Sequence, residues 1–490
     1  PISAVPWFEF MKNTGLIGVL LFALLGQQVV AVQQDAGDDF DVAAFDAAVA
    51  KMHEDAGAPG MAVAVLRNGQ TLHARGYGIA GPGGQPVTTQ TAFQTGSITK
   101  SFVAIVILQM ASEGKLDLDD PVVRHVPTFR TASKSQSDRI SVDQLVTHHS
   151  GLTTLDGNSA NAVDPGLSGP AAAVAELAGV ELFAEPGTSF QYSNANYVLL
   201  SHLIEVLDDQ PFEQVLKARI FDPLGMTSSF VQVPPADAIA VATGYRLWFG
   251  GPRPWQPEPD AEPDRRMIGA GGVSASIEDL ARYVEAVRTR DPRIVPEGAD
   301  RLFVIKPFYE QWGYAYGWYT DSAGDEPVFG HSGFTPGFFS LATMVPAMDQ
   351  VVVVLTNMSG LAHGDLPRAV TNAALGWDPV PAAAPISARI AIWSAVTAPL
   401  GLLMLLFKTG RRLLYHRQPM RPWVRGLNVV AVLGLVAGVY VVFVGFQTTL
   451  GVSFATGYAF YPDLTATTAA AMAFALLLAA GRLALVIRGG

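Results

Sequence analysis

Three stretches near the C-terminal end, about 389–407, 427–446 and 466–487, are almost free of charge and rich in Leu, Val, Ala and Phe. Each is long enough to cross a bilayer, which takes about 20 residues of helix. No other feature limits the fold so strongly, because a segment lying in hydrocarbon must satisfy its own backbone hydrogen bonds and so must be helical. Helices buried in a soluble core are the alternative, and the connecting loops argue against it. The first loop, "KTGRRLLYHRQPMRPWVR", carries Lys408, Arg411, Arg412, Arg417, Arg421 and Arg425, whereas residues 447–465 carry no Lys or Arg. Positive loops stay in the cytoplasm, so the second loop and everything before residue 389 are expected outside. The N-terminal region agrees independently. Residues 11–31, "MKNTGLIGVLLFALLGQQVVA", place Lys12 before an apolar run from Leu16 to Leu25, then small residues at Val29 and Ala31. That is the layout of a secretory signal peptide, with an uncleaved anchor as the alternative; either one exports the chain downstream of it. The expected location is a bacterial inner membrane, with the lipid bilayer as partner and the bulk of the chain periplasmic.

Residues 36–376 read as one large mixed domain, joined by a short Pro-rich linker, 377–388, to the membrane segment 389–487. "MAVAVLRNGQTLHARGYGIA" predicts two strands around an Asn68-Gly69 turn. "SFVAIVILQMASEG" predicts a buried helix ending near Gly114. Helices also fit "ANYVLLSHLIEVLDD" and "IEDLARYVEAVRTR", and late strands fit "GHSGFTPGFFSLATMV" and "QVVVVLTN". Strands at both ends with helices between predict an α+β domain whose sheet is built from both termini, with a helical region inserted. Residues 248–266 form a Pro-rich loop. The aromatic run at 308–320 alternates Trp312, Tyr314, Tyr316 and Trp318; it suits a strand with one buried face or the lining of an acyl pocket, core being favoured. The net charge of −11 offers no excess of basic surface for nucleic acid. The chain has no cysteine, which removes thiolate metal sites, a thiol nucleophile and disulfides.

One short stretch raises a chemical question. "TGSITKSF", residues 95–102, sets Ser97 three residues before Lys100 at the start of the buried helix. A serine there is ordinarily an N-cap. The spacing also puts Lys100 one turn on and on the same side. The helix N-terminus and burial both disfavour a positive charge, so a neutral amine can take the serine proton. Ser-x-x-Lys alone is a weak signal. "FQYSNANY", with Tyr192-Ser193-Asn194, and "FGHSGFTPG", with His331-Ser332-Gly333, strengthen it.

The order Ser-x-x-Lys, Tyr-x-Asn, His-x-Gly resembles the serine β-lactamase and penicillin-binding-protein superfamily, in its class C-like branch. "LVTHHSGL", "DPLGMTSS" and "GGVSASIEDLARY" are similar to its hydrolase members, and the likeness spans about residues 55–360. The resemblance implies an antiparallel sheet flanked by helices plus an all-α subdomain. It implies Ser97 as nucleophile, Lys100 as base and Tyr192 as proton relay to the leaving group. It implies an oxyanion hole from the backbone N–H groups of Ser97 and Phe334, and substrate binding by Asn194, His331, Ser332 and Gly333. Asn194 has two readings, a contact to the substrate amide or a hold on Lys100. No cofactor and no metal are implied. The pair His148-His149 suggests a metal at first sight, but adjacent histidines point apart and no carboxylate cluster accompanies them.

The third motif departs from β-lactamases, which carry Lys-Thr-Gly there. His-x-Gly is similar to the branch of D-aminopeptidases and carboxylesterases. His331 also has a plainer reading, a neutral hydrogen-bonded strand residue. The layout of export signal, catalytic domain and three membrane helices resembles prodrug-activating peptidases of the colibactin-maturation type. These remove an N-acyl-D-amino-acid cap from a peptide-type precursor. The expected function is a membrane-anchored serine peptidase or amidase acting on a small-molecule or acyl-peptide substrate. A carboxylesterase or weak class C-like β-lactamase is one alternative. A β-lactam-acylated sensor is another; it calls for a cytoplasmic effector or protease motif, whereas the positive loop is short and no HExxH occurs. The oligomeric state is not written in these motifs.

Overall fold

Asn68 and Gly69 reverse the chain with φ of 51° and 73°, the left-handed pair that a two-residue hairpin requires. They join β1 (Gly60–Arg67) to β2 (Gln70–Gly78). The computed structural model describes residues 40–488 apart from 159–168, 235–239, 250, 256–264, 322–326, 361–364, 383–385, 416–420 and 451. The export signal predicted over 11–31 and much of the Pro-rich loop therefore lie outside the described residues. The other strands of the main sheet come late in the chain: β3 (Lys306–Tyr309), β4 (Trp312–Ala315), β5 (Trp318–Asp321), β6 (Val328–Thr335), β7 (Phe338–Val345) and β8 (Gln350–Thr356). Among the described residues this sheet has eight strands, in the order β2-β1-β8-β7-β6-β5-β4-β3. Every neighbouring pair is antiparallel. The two ends of the domain meet where Val63 of β1 pairs with Val354 of β8, as predicted from strands at both termini.

The sheet is covered on both faces, which explains the unbroken apolar runs of β1 and β8. Side chains alternate between faces along a strand. Ala62, Ala64, Leu66, Val351, Val353 and Leu355 join the main core with the helical region. The intervening Met61, Val63, Val65, Val352 and Val354 are equally buried on the opposite face, where α1 (Val42–Ala56) lies over β2 and the late helix Asp365–Leu375 lies over β8. Burial of each such side chain contributes about 1.5–3 kcal/mol.

Within the main core, α2 (Thr99–Ser112) is the central helix. Its residues from Thr99 to Leu108 are all buried, as expected of a helix that is apolar all round. Around it come α3 (Val142–Val146), α4 (Asn194–Asp208) and α5 (Ile277–Arg288). The Phe102 ring on α2 stacks on Tyr283 of α5 with centroids 3.7 Å apart. The late helix Asp365–Leu375 is α6.

A second unit comprises Pro385–Gly490 together with Leu247–Gly251. It contains α7 (Ile386–Tyr415), α8 (Pro422–Leu450) and α9 (Pro462–Arg488). Helix α9 packs against both α7 and α8. Two segments, Pro422–Gln447 and Pro462–Ile487, are long and apolar enough to cross a membrane, with mean hydropathy 2.7 and 2.2. The first predicted span falls in α7, which is helical through its internal Pro399. Among the described residues α7 is not one of the two segments that meet that test, so two spans rather than three have this support.

Candidate active site

Ser97 sits in a tight 3₁₀ turn, Gly96–Ile98, that leads straight into α2. It does not cap the helix: no side-chain capping bond occurs at either start. The turn is pressed against the edge of β6. Gly96 has φ of 51°, and a Cβ there would come 2.6 Å from the Phe334 nitrogen. A Cβ on Gly333 would lie 1.8 Å from the Thr95 carbonyl oxygen. Only glycine permits this backbone-to-backbone approach. The β5–β6 ladder ends at Tyr319 and Gly330, so His331–Thr335 are flanked by a strand partner on the β7 side alone. The sequence-predicted Ser97, Ser332, Gly333 and Phe334 thus belong to one seam.

Lys100 lies one turn beyond Ser97, fully buried in α2. Its Nζ stands 3.0 Å from Ser97 Oγ, 2.7 Å from Asn194 Oδ1 and 2.8 Å from the Ala270 carbonyl oxygen. Burial holds its pKa well below the usual lysine value. A neutral amine has two hydrogens and one lone pair. Asn194 Oδ1 and Ala270 O accept the two hydrogens, which leaves the lone pair for the Ser97 hydroxyl proton. Burial favours this neutral form, in which the lone pair faces Ser97 Oγ and can take its proton.

Burial raises the pKa of Tyr192, an effect that Ser97 only partly offsets, so the phenol keeps its proton at rest. Its ring centroid is 4.9 Å from Lys100 Nζ. Asn194 opens α4 and has both ends of its amide engaged, Oδ1 on Lys100 and Nδ2 donating to Asn158 Oδ1 at 2.6 Å. The contact to Lys100 is one of its two predicted readings. His331, 2% exposed, is also engaged inside the protein. Its Nδ1 is 2.7 Å from the Ser332 carbonyl oxygen and so carries the proton. Its Nε2 then accepts from the Tyr314 hydroxyl at 3.3 Å. Burial pulls its pKa down to about 3. The third motif therefore supplies a neutral imidazole, not a fixed cation.

Ala270 and Asn158 were not predicted at the site, whereas Tyr314 was named within the aromatic run. The Ala270 carbonyl is placed by the short helix Ile268–Gly271, which rests on α4 so closely that a Cβ on Gly269 would meet the Tyr197 oxygen at 2.5 Å. The glycine run in "IGAGG" was the available signal. Asn158 had none. Tyr314 and Tyr319 pack edge to face at 4.9 Å beside Tyr192 and His331. The aromatic run is a hairpin, with Trp318 paired to Ala315, not one strand. Its alternation therefore breaks at Gly317, where φ is 80°. Trp318 enters the core, Tyr316 donates to Asp143 Oδ1 at 2.6 Å, and Tyr314 and Tyr319 face the site. Among the described residues no metal-ligand cluster occurs.

Residues 45–375 match the family model described as Beta-lactamase. The chain belongs to the beta-lactamase family. Members of this family are hydrolases, and their α+β fold with an antiparallel sheet is the one found here. Protein flp of Staphylococcus aureus is 28% identical over 307 residues, which cover 61% of this chain and 60% of that protein; the chain thus spans less than two thirds of that relative. The octameric penicillin-binding protein homologue from Pyrococcus abyssi superposes with a TM-score of 0.58 at 29% identity, covering 69% of this chain and 78% of that one. A D-stereospecific amidohydrolase from Streptomyces sp. superposes with a TM-score of 0.54 at 25% identity, covering 65% and 95%.

Proposed function

We propose that this chain is an exported, membrane-anchored serine hydrolase that works through an acyl-enzyme. Its substrate is an amide bond beside a D-amino acid, and its reaction removes an N-acyl-D-amino-acid cap from a peptide-type precursor. The observation that carries the reading is the Lys100 amine, held by Asn194 Oδ1 and Ala270 O with its remaining position on Ser97 Oγ. Ser97 Oγ attacks the carbonyl carbon and its proton passes to Nζ. The N–H groups of Ser97 and Phe334 receive the developing oxyanion. Tyr192 gives its proton to the leaving nitrogen and takes one from Lys100, the C–N bond breaks, and Ser97 is left acylated. Water then gives a proton to the Tyr192–Lys100 relay, its oxygen displaces Ser97, and the serine recovers its proton. The sum is amide plus water to acid plus amine.

The amide is favoured over a β-lactam because that drug class presents a carboxylate for which a cation at the third motif is expected, and His331 is neutral and internally bonded. The Streptomyces D-stereospecific amidohydrolase supports the stereochemical part. The anchor is assigned to α7, α8 and α9, with the positive loop 408–425 cytoplasmic. The test is kcat/KM for matched N-acyl-D- and N-acyl-L-aminoacyl anilides, the corresponding ester and a chromogenic cephalosporin. A D over L preference of at least about tenfold with a weaker cephalosporin is expected. Equal rates for both enantiomers, or turnover of the ester alone, would overturn the substrate assignment.

A further inference from the structure

His148 is fully buried and sits just beyond α3 with φ of 59°. A non-glycine residue in this region costs about 1–3 kcal/mol and persists only where its surroundings hold it. What it gains is a grip on one segment from two sides. Its carbonyl oxygen accepts from the Gln191 N–H at 2.9 Å. Its ring Nδ1 accepts from the Ser193 N–H at 3.2 Å. These are the two chain neighbours of Tyr192. The imidazole itself packs on the Tyr192 ring, with centroids 4.4 Å apart. Tyr319 also stacks on the Tyr192 ring, at 5.8 Å.

The ring's orientation is fixed by a second chain of bonds. Ser150 Oγ donates to Asn196 Oδ1 at 2.6 Å, which turns Asn196 Nδ2 toward His148 Nδ1 at 2.9 Å. Two donors on Nδ1 leave the proton on Nε2. Among the described residues Nε2 has no hydrogen-bond partner; the Tyr314 and Tyr197 rings surround the imidazole at 4.8 and 5.2 Å. Leaving a buried N–H unpaired costs about 1–3 kcal/mol. Two costs at one residue, a left-handed backbone and an unpaired N–H, point to a role in the site and not to stability.

We propose that His148 is the positioning residue for Tyr192: it holds both neighbouring amides and the face of the phenol so that the hydroxyl meets Ser97. The inference rests on the reading of Tyr192 as proton relay. It also accounts for the first histidine of "THHSG", since only this one turns inward onto the tyrosine; His149 bonds back to the Thr147 carbonyl at 2.7 Å through Nδ1.

The test is a double-mutant cycle in the full chain, with active enzyme counted by a covalent serine probe. His148→Leu removes the acceptor and the ring. His148→Asn keeps an acceptor near the Nδ1 position and guards against a variant that fails to fold. His148→Leu should lower kcat about 100-fold with KM nearly unchanged, and His148→Asn should recover about tenfold of that loss. In a Tyr192→Phe background, His148→Leu should add almost nothing, because the group it positions is gone. The same loss from His148→Leu in both backgrounds would overturn the positioning role while leaving the relay intact. Wild-type turnover by Tyr192→Phe would overturn the relay reading itself, and this inference with it.

Discussion

Lys100 Nζ stands 3.0 Å from Ser97 Oγ while Asn194 and Ala270 hold its other two positions. Burial lowers the pKa of this amine and so favours the neutral form that can take the serine proton. Arginine in its place stays protonated and cannot take the serine proton. Lys100→Arg should therefore lose about 10²–10⁴ in kcat, and Ser97→Ala should lose at least about a thousandfold. Labelling by a fluorophosphonate probe should vanish in Ser97→Ala. Labelling that persists at another serine, or strong activity in Lys100→Arg, would break the assignment.

Asn194 should set the pH at which the lysine becomes a base. Its Oδ1 lies 2.7 Å from Nζ. Asn194→Asp replaces a neutral acceptor by a carboxylate, which favours the ammonium form and raises the Lys100 pKa by about 1–3 units. Activity needs the neutral amine, so it appears above that pKa and is lost below it. The acid limb of kcat/KM should move to higher pH in Asn194→Asp, with rate recovered as pH is raised. A uniform loss at every pH would show that Asn194 acts on the substrate and not on Lys100.

These contacts also show where the sequence was readable. The hairpin at Asn68-Gly69, the buried helix carrying Ser97 and Lys100, and the late strands all announced themselves through local pattern. Each rests on short-range physics: a turn residue pair, an apolar helix, a run of valines. Ala270 and Asn158 escaped because their contributions come from packing between distant segments, and a backbone carbonyl leaves no mark in residue type. The aromatic run misled for a different reason. Its period of two continues across Gly317, yet the chain turns there, so the same letters serve core and site. His331 was readable as either a substrate-binding residue or a neutral hydrogen-bonded strand residue, and it bonds to Tyr314 and Ser332 inside the protein.

Acid stability should report on His331. Its folded pKa is about 3, below the ordinary 6.5. Between those values the unfolded chain binds the proton and the folded chain does not. Stability is therefore lost as pH falls through that window, by about 1.4 kcal/mol per pH unit. His331→Gln, which cannot titrate, should flatten the dependence of unfolding free energy on pH by about that slope. Denaturant melts at several pH values measure it. An unchanged slope would mean the imidazole charges freely inside the fold.

The membrane assignment makes the most direct demand on the cell. Helices α8 and α9 carry the two segments apolar enough to span, and α7 holds the remaining predicted one. With an odd number of crossings the catalytic domain and the C-terminal end must lie on opposite sides; with two they lie on the same side. On the three-span reading proposed above, the basic residues Lys408, Arg411, Arg412, Arg417, Arg421 and Arg425 put the loop between α7 and α8 inside. Reporter fusions after residues 376, 418 and 490 should read outside, inside and inside. If α7 does not cross, the fusions after 376 and 418 will agree, and the loop rich in arginine will share a side with the active site. That result would leave the serine chemistry intact and remove the three-span anchor.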